Sequence, residues 1–199
     1  MPTRRPIAVA ITGGIGAGKS EALHAFARHG VPTLSSDDTV HRLLRDDPDV
    51  RRALVERFGD RVTDDSGRLD RSAIATVVFA DREELDWLES VLHPRVAQES
   101  SAWIDSLAAL DDPPDLCAIE VPLLFETGAD ARFDAVVVVT APEAIRRARA
   151  RTSVDDRSRR LLPDEEKMKR ADFGYVNDGT LAELDRFVSG VIGKLTASE

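Results

Sequence analysis

Residues 7–20 read Ile7-Ala8-Val9-Ala10-Ile11-Thr12-Gly13-Gly14-Ile15-Gly16-Ala17-Gly18-Lys19-Ser20. The first six are small, apolar or β-branched and suit a buried strand. The next eight fit G-x-x-x-x-G-K-[ST], anchored on Gly13 and Gly18, in which a glycine-rich turn points backbone N–H groups at phosphate oxygens. In that pattern Lys19 reaches the β- and γ-phosphates and the Ser20 hydroxyl holds Mg²⁺. Glu21 to His29 reads as a helix with Ala22, Leu23 and Phe26 near one face, ended by Gly30. Its N-terminus would face the same anion. A strand before and a helix after are the context that separates this motif from a chance glycine turn.

Composition narrows the partners. The chain has 199 residues and a formal net charge of −9, which disfavours nucleic acid, since binding a phosphate backbone needs a basic surface. A hydrophobic fraction of 42% with 32% charged residues is ordinary for a water-soluble globular chain. The one cysteine, Cys117, lies in an apolar run and reads as a buried thiol. A single cysteine forms no internal disulfide, which suits a reducing cytoplasm. No apolar run approaches the ~18 residues of a membrane span, and Met1 to Pro6 carries no signal-peptide core.

Further strands are expected at residues 31–34, 116–119, 134–140 and 171–176, alternating with helices. The run Ala135-Val136-Val137-Val138-Val139 implies burial on both faces of a parallel sheet. The fold class is therefore α/β, a doubly wound, parallel five-stranded sheet. The helix-biased region between residues 61 and 114 has no strand signal and reads as a helical insertion. The expected organisation is one domain, with a core of 1–60 and 115–199 and a short lid at about 147–165.

Several side chains have two readings. Asp37 is either a helix N-cap or, at the C-terminal end of the second strand, a carboxylate facing a substrate hydroxyl. Asp64 to Gly67 fits a D-x-x-G switch but sits among turn formers and is read as a turn. Leu92-His93-Pro94-Arg95 interrupts the apolar pattern, Pro94 favours a bend there with the helix continuing from Val96 to Leu107, and His93 is either structural or a substrate contact. Glu120 is either the Mg²⁺-side carboxylate of a P-loop enzyme or a solvated strand end. Arg146, Arg147, Arg149 and Arg151, with Arg157, Arg159 and Arg160, are either a solvated face paired to nearby acids or a lid closing on a transferring phosphate. The P-loop favours the lid.

The wider pattern resembles the dephospho-CoA kinase family. The residues that carry it are Thr12-Gly13-Gly14-Ile15-Gly16-Ala17-Gly18-Lys19-Ser20, Asp37, Leu92-His93-Pro94, Pro122-Leu123-Leu124-Phe125-Glu126, Ala171-Asp172 and Asn177-Asp178-Gly179-Thr180. The resemblance implies a transferase, a cytoplasmic enzyme of coenzyme A biosynthesis, that moves the γ-phosphoryl of ATP to the ribose 3′-hydroxyl of dephospho-CoA. By position, it implies ATP phosphates held from Gly14 through Ile15, Gly16, Ala17, Gly18, Lys19 and Ser20 to Glu21, with Mg²⁺ at Ser20. It implies Asp37 as base or orienter, and an acceptor pocket at His93 and Arg95, with Glu126 in the acceptor set. Arg147 and Arg151 would act from the lid, and Asn177 would lie near the adenine. A monomer is expected. The chain departs from the family at Ser35, where the first of two aspartates usually stands, at Glu21, usually Thr, and in a shorter lid with Leu161 near a usual Gln. Rival readings are another small-molecule P-loop kinase, acting on a nucleoside monophosphate or a sugar-like alcohol, and a nucleotide-binding module that has lost catalysis. A GTPase is disfavoured because no Asn-Lys-x-Asp is present.

Overall fold

The computed structural model describes residues 5–149 and 161–197. The described residues form two compact units, one made of the residues up to Ser35 together with those from Trp103 onward, the other Ser36–Ala102. The first unit is built on five parallel strands: β1 (Ile7–Gly13), β2 (Thr33–Ser35), β3 (Leu116–Glu120), β4 (Ala135–Thr140) and β5 (Phe173–Val176). Their order across the sheet is β2-β3-β1-β4-β5. All four pairings are parallel, with Val9 opposite both Ala118 and Ala135. The expected sheet is thus present, and each expected strand appears in it.

Side-chain alternation sorts the strands onto two faces. Val9 and Ile11 of β1, with Val137 and Val139 of β4, pack on one side against Ala22 and Phe26 of α1 (Lys19–Arg28) and Leu184 and Val188 of α8 (Leu181–Thr196). Ala10, Val136 and Val138 turn the other way, onto Leu124 and Phe125. Ala8, Cys117 and Ile119 meet Ile104 on that same reverse side. Phe26 is fully buried, which contributes about 2–3 kcal/mol by area. Burial also pushes the Cys117 thiol up to about 11, so it stays protonated and inert. Two aspartates close the strand starts. Asp134 Oδ2 accepts from the Ala8 N–H at 2.7 Å, and Asp172 Oδ2 accepts from the Val136 N–H at 2.8 Å. A capping box of Thr180 and Glu183 opens α8.

The second unit is helical. It comprises α2 (Ser36–Asp46), α3 (Pro48–Phe58), α4 (Arg71–Ala80) and α5 (Arg82–Ala108) as far as Ala102. Asp47, Asp70 and Asp81 each accept from backbone N–H groups of the turn that follows, as N-caps do. Leu43, Leu44, Val50, Leu54, Phe58, Ile74, Val78, Leu88 and Leu92 share one apolar cluster. The extent of this unit differs from the insertion expected at about 61–114. α2 and α3 bury their apolar stripes with α4 and α5, so the helical unit begins at Ser36 rather than after a core ending at 60. The expected D-x-x-G turn is a turn, with Asp64 Oδ1 accepting from the N–H groups of Ser66 and Arg68.

Pro94 does not end its helix. α5 runs unbroken over 27 residues with Pro94 inside. The proline removes one ladder N–H. Buried Leu92 before it and partly buried Val96 after it sit in the same cluster and hold the register. Among the described residues no helix is long and apolar enough to cross a membrane.

Candidate active site

β1 ends at Gly13, whose backbone must pass β4 closely. A Cβ there would collide with the Val139 carbonyl, and its φ of 146° favours glycine. The chain then turns through Gly14 to Gly18 into α1. Gly18 is the N-cap in the left-handed region (φ 101°), and no side chain caps this helix end. An uncapped helix start presents backbone N–H groups and a positive dipole end, the physical basis of an anion cradle. Lys19 Nζ donates to the Gly14 carbonyl at 3.2 Å, which lays its ammonium back across the turn. The Glu21 side chain takes no part. It pairs with Arg28 at 2.9 Å, so Glu21 offers the cradle only its backbone.

Three neighbours fix the cradle. Asn177 is 5% exposed, and its Nδ2 donates to the Ala17 carbonyl at 2.9 Å. Its backbone N–H bonds to the Thr140 carbonyl at 2.7 Å, tying β5, β4 and the P-loop together. A side chain at Gly18 would collide with the Asn177 amide. Ser20 Oγ donates to Glu120 Oε1 at 3.4 Å, and Glu120 is 5% exposed at the end of β3. The solvated strand-end reading of Glu120 is therefore wrong. A hydroxyl beside a buried carboxylate is an all-oxygen donor set that suits Mg²⁺, which takes few protein ligands and keeps its waters.

The third neighbour is α6 (Glu143–Arg149). Its arginines divide by face. Arg147 points out and pairs with Glu143 at 2.6 Å. Arg146 lies on the cradle. A Cβ built on Gly14 would be 2.7 Å from Arg146 Nη1, and one on Gly16 would be 2.7 Å from the Arg146 carbonyl. Arg149 Nη1 comes within 3.7 Å of a Cβ on Gly18. Arg146 and Arg149, three apart, share the inward face, as helical spacing requires. The sequence places both in the arginine cluster expected to form the lid, and only the family resemblance singles out Arg147 and Arg151. Helical spacing alone does not choose between this pair and Arg147 with Arg151, which are four apart. Arg151, Arg157, Arg159 and Arg160, with most of the expected lid, lie outside the described residues.

Glu126, expected in the acceptor set, makes its described contacts within the chain. Its Oε1 accepts from the Leu162 N–H at 2.9 Å and lies 2.8 Å from Lys167 Nζ. Lys167 is fully buried. Glu126 thus anchors residues 162–167 beside the Phe125 turn. It is a structural ion pair that no local pattern revealed, because the two residues are 41 positions apart.

The remaining expected residues lie in the helical unit. Asp37 is exposed in the first turn of α2, one residue past the helix start, so it is not the N-cap considered above. There its charge favours the helix dipole. In sequence it comes two residues after Ser35, which pairs with Glu120 across β2 and β3. His93 is half-buried on α5. Arg95 donates from Nη1 to the Val91 carbonyl at 2.9 Å and lies 3.7 Å from Asp47.

A parallel sheet of this order, with a glycine cradle between its central strand and an uncapped helix, a lysine folded over it and a buried carboxylate beside its serine, defines a P-loop kinase. Comparison with known proteins narrows the class. The family described as dephospho-CoA kinase matches residues 7–183. A dephospho-CoA kinase of Thermus thermophilus is 36% identical over 97% of this chain and 94% of its own. One from Chlorobaculum tepidum is 36% identical over 98% of both. A crystal structure from Thermus thermophilus superposes with a TM-score of 0.76 at 36% identity, covering 96% of this chain and 99% of the other. The chain belongs to the dephospho-CoA kinase family.

Proposed function

We propose that this kinase transfers the γ-phosphoryl group of ATP to the ribose 3′-hydroxyl of dephospho-CoA, giving coenzyme A and ADP. Family membership over nearly the whole chain, together with the Gly13–Ser20 cradle, supports this reading. The backbone from Gly14 to Glu21 would hold the ATP phosphates, with the Lys19 ammonium on the β/γ side. Ser20 and Glu120 are the residues that would hold Mg²⁺. When bound, the ion neutralises charge on the phosphate oxygens.

In this reading the Asp37 carboxylate accepts the proton of the acceptor hydroxyl, or orients it for in-line attack. His93 and Arg95 would contact the acceptor, Arg95 as a cation suited to its phosphates. Asn177 acts by holding the cradle in shape. The enzyme would work as a monomer in the cytoplasm, a setting that suits its single buried thiol.

A coupled ADP-release assay with dephospho-CoA as sole acceptor tests the function. The wild type should turn over, and Lys19→Ala and Asp37→Ala should each lower kcat by about 100-fold or more, roughly 2.7 kcal/mol of barrier. Turnover of a nucleoside monophosphate or sugar alcohol instead would overturn the acceptor. An Asp37→Ala rate within about tenfold of wild type would remove Asp37 from the chemistry.

A further inference from the structure

Arg146 is buried more deeply than a solvated lid arginine needs to be. Its side chain is 20% exposed, and its Nε has neither solvent nor a hydrogen-bond partner. Nη1 faces Asp164 Oδ2 at 3.4 Å. The same two groups close over Gly14, where a Cβ would lie 2.7 Å from Arg146 Nη1 and 2.9 Å from Asp164 Oδ1. A carboxylate thus stands beside the glycine turn whose function is to take an anion. Asp164 opens α7 (Asp164–Lys169), and that short helix is pinned from behind. Lys167 is fully buried against Glu126, and Glu126 also binds the Leu162 N–H.

Resting on the kinase reading above, we propose that Asp164 is a positioning residue that competes with the nucleotide polyphosphate for Arg146. With the cradle empty, a half-buried guanidinium needs a counter-ion, because an unpaired charge is costly there. Asp164 supplies one negative charge. A triphosphate brings several, with oxygens that match the planar fork of arginine. Arg146 therefore turns from Asp164 to the phosphates when nucleotide binds. The Lys167–Glu126 anchor keeps α7 in place, so the guanidinium moves rather than the helix. The exchange lowers nucleotide affinity, because an ion contact must be given up, and it holds Arg146 within reach of its ligand beforehand.

The test is ATP binding by calorimetry on the full chain, without acceptor. Asp164→Asn should tighten ATP binding by roughly three- to tenfold, the range expected when a largely buried competing ion pair is removed. Asp164→Glu, which keeps the charge, should return affinity to within about twofold of wild type. Arg146→Met should weaken binding, and in that background Asp164→Asn should change affinity by less than about twofold. Equal or weaker binding by Asp164→Asn overturns the proposal. So does a full Asp164→Asn effect without Arg146, which would mean plain repulsion of the phosphates. Thermal unfolding without nucleotide identifies variants that fail to fold, and Asp164→Glu then serves as the second probe, overturning the proposal if it binds ATP as weakly as Arg146→Met does. A wild type that binds no ATP at all would instead sink the kinase reading itself.

Discussion

The nucleotide cradle and the helical unit place their working groups by opposite means. In the cradle the donors are main chain, and the side chains that shape it are buried. Asn177 is tied to Ala17, Glu120 lies beside Ser20, and glycines stand where a Cβ would strike backbone or a neighbouring amide. In the unit Ser36–Ala102 the core is apolar and the polar candidates stand at its surface. Asp37 is exposed, His93 is half-buried and Arg95 is paired loosely to Asp47. A site built from main-chain donors can be rigid. Side chains at or near the surface, such as Asp37, can be replaced at less cost to the fold than buried ones.

This contrast can be broken or sharpened by mutation. The largest effect belongs behind the cradle. Lys167→Met leaves Glu126 buried and unpaired and should destabilise by about 3–5 kcal/mol in urea unfolding. Pairing it with Glu126→Gln should recover a good part of that loss. A single variant as stable as wild type would show that the pair carries little. Asn177→Ala should cost about 1–2 kcal/mol of stability by leaving the Ala17 carbonyl unbonded in a buried place, and should raise the KM for ATP. An unchanged KM would mean that the cradle holds its shape unaided. The smallest effect on the fold is expected in the helical unit. Arg95→Ala, removing a long contact to Asp47, should shift stability by less than about 1 kcal/mol while raising the KM for dephospho-CoA. A stability loss as large as that of Lys167→Met would erase the contrast.

Arg146 and Arg147 show where sequence reading stopped. They are adjacent, chemically identical and carried by one helix. A turn of about 100° per residue sends one onto Gly14 and the other to Glu143 and solvent. Pro94 shows a local rule absorbed by its surroundings. Its missing N–H weakens one turn, and apolar contacts on either side keep the helix continuous across it. Glu126 was read correctly as part of a motif, yet its partner was invisible 41 residues away.

Local chemistry alone determined the five strands, the P-loop, the turn at Asp64 and the capped starts of α3, α4 and α8. Each depends on a short-range preference, whether two-residue alternation, a glycine tolerating positive φ or a side chain bonding an N–H two or three residues on. Tertiary structure alone decided that Glu120 faces Ser20, that Glu126 faces Lys167, that Arg146 faces the cradle and that the helical unit begins at Ser36. Those outcomes depend on which surfaces the sheet and the apolar clusters bring together. No periodicity within a single segment encodes a contact between side chains scores of residues apart.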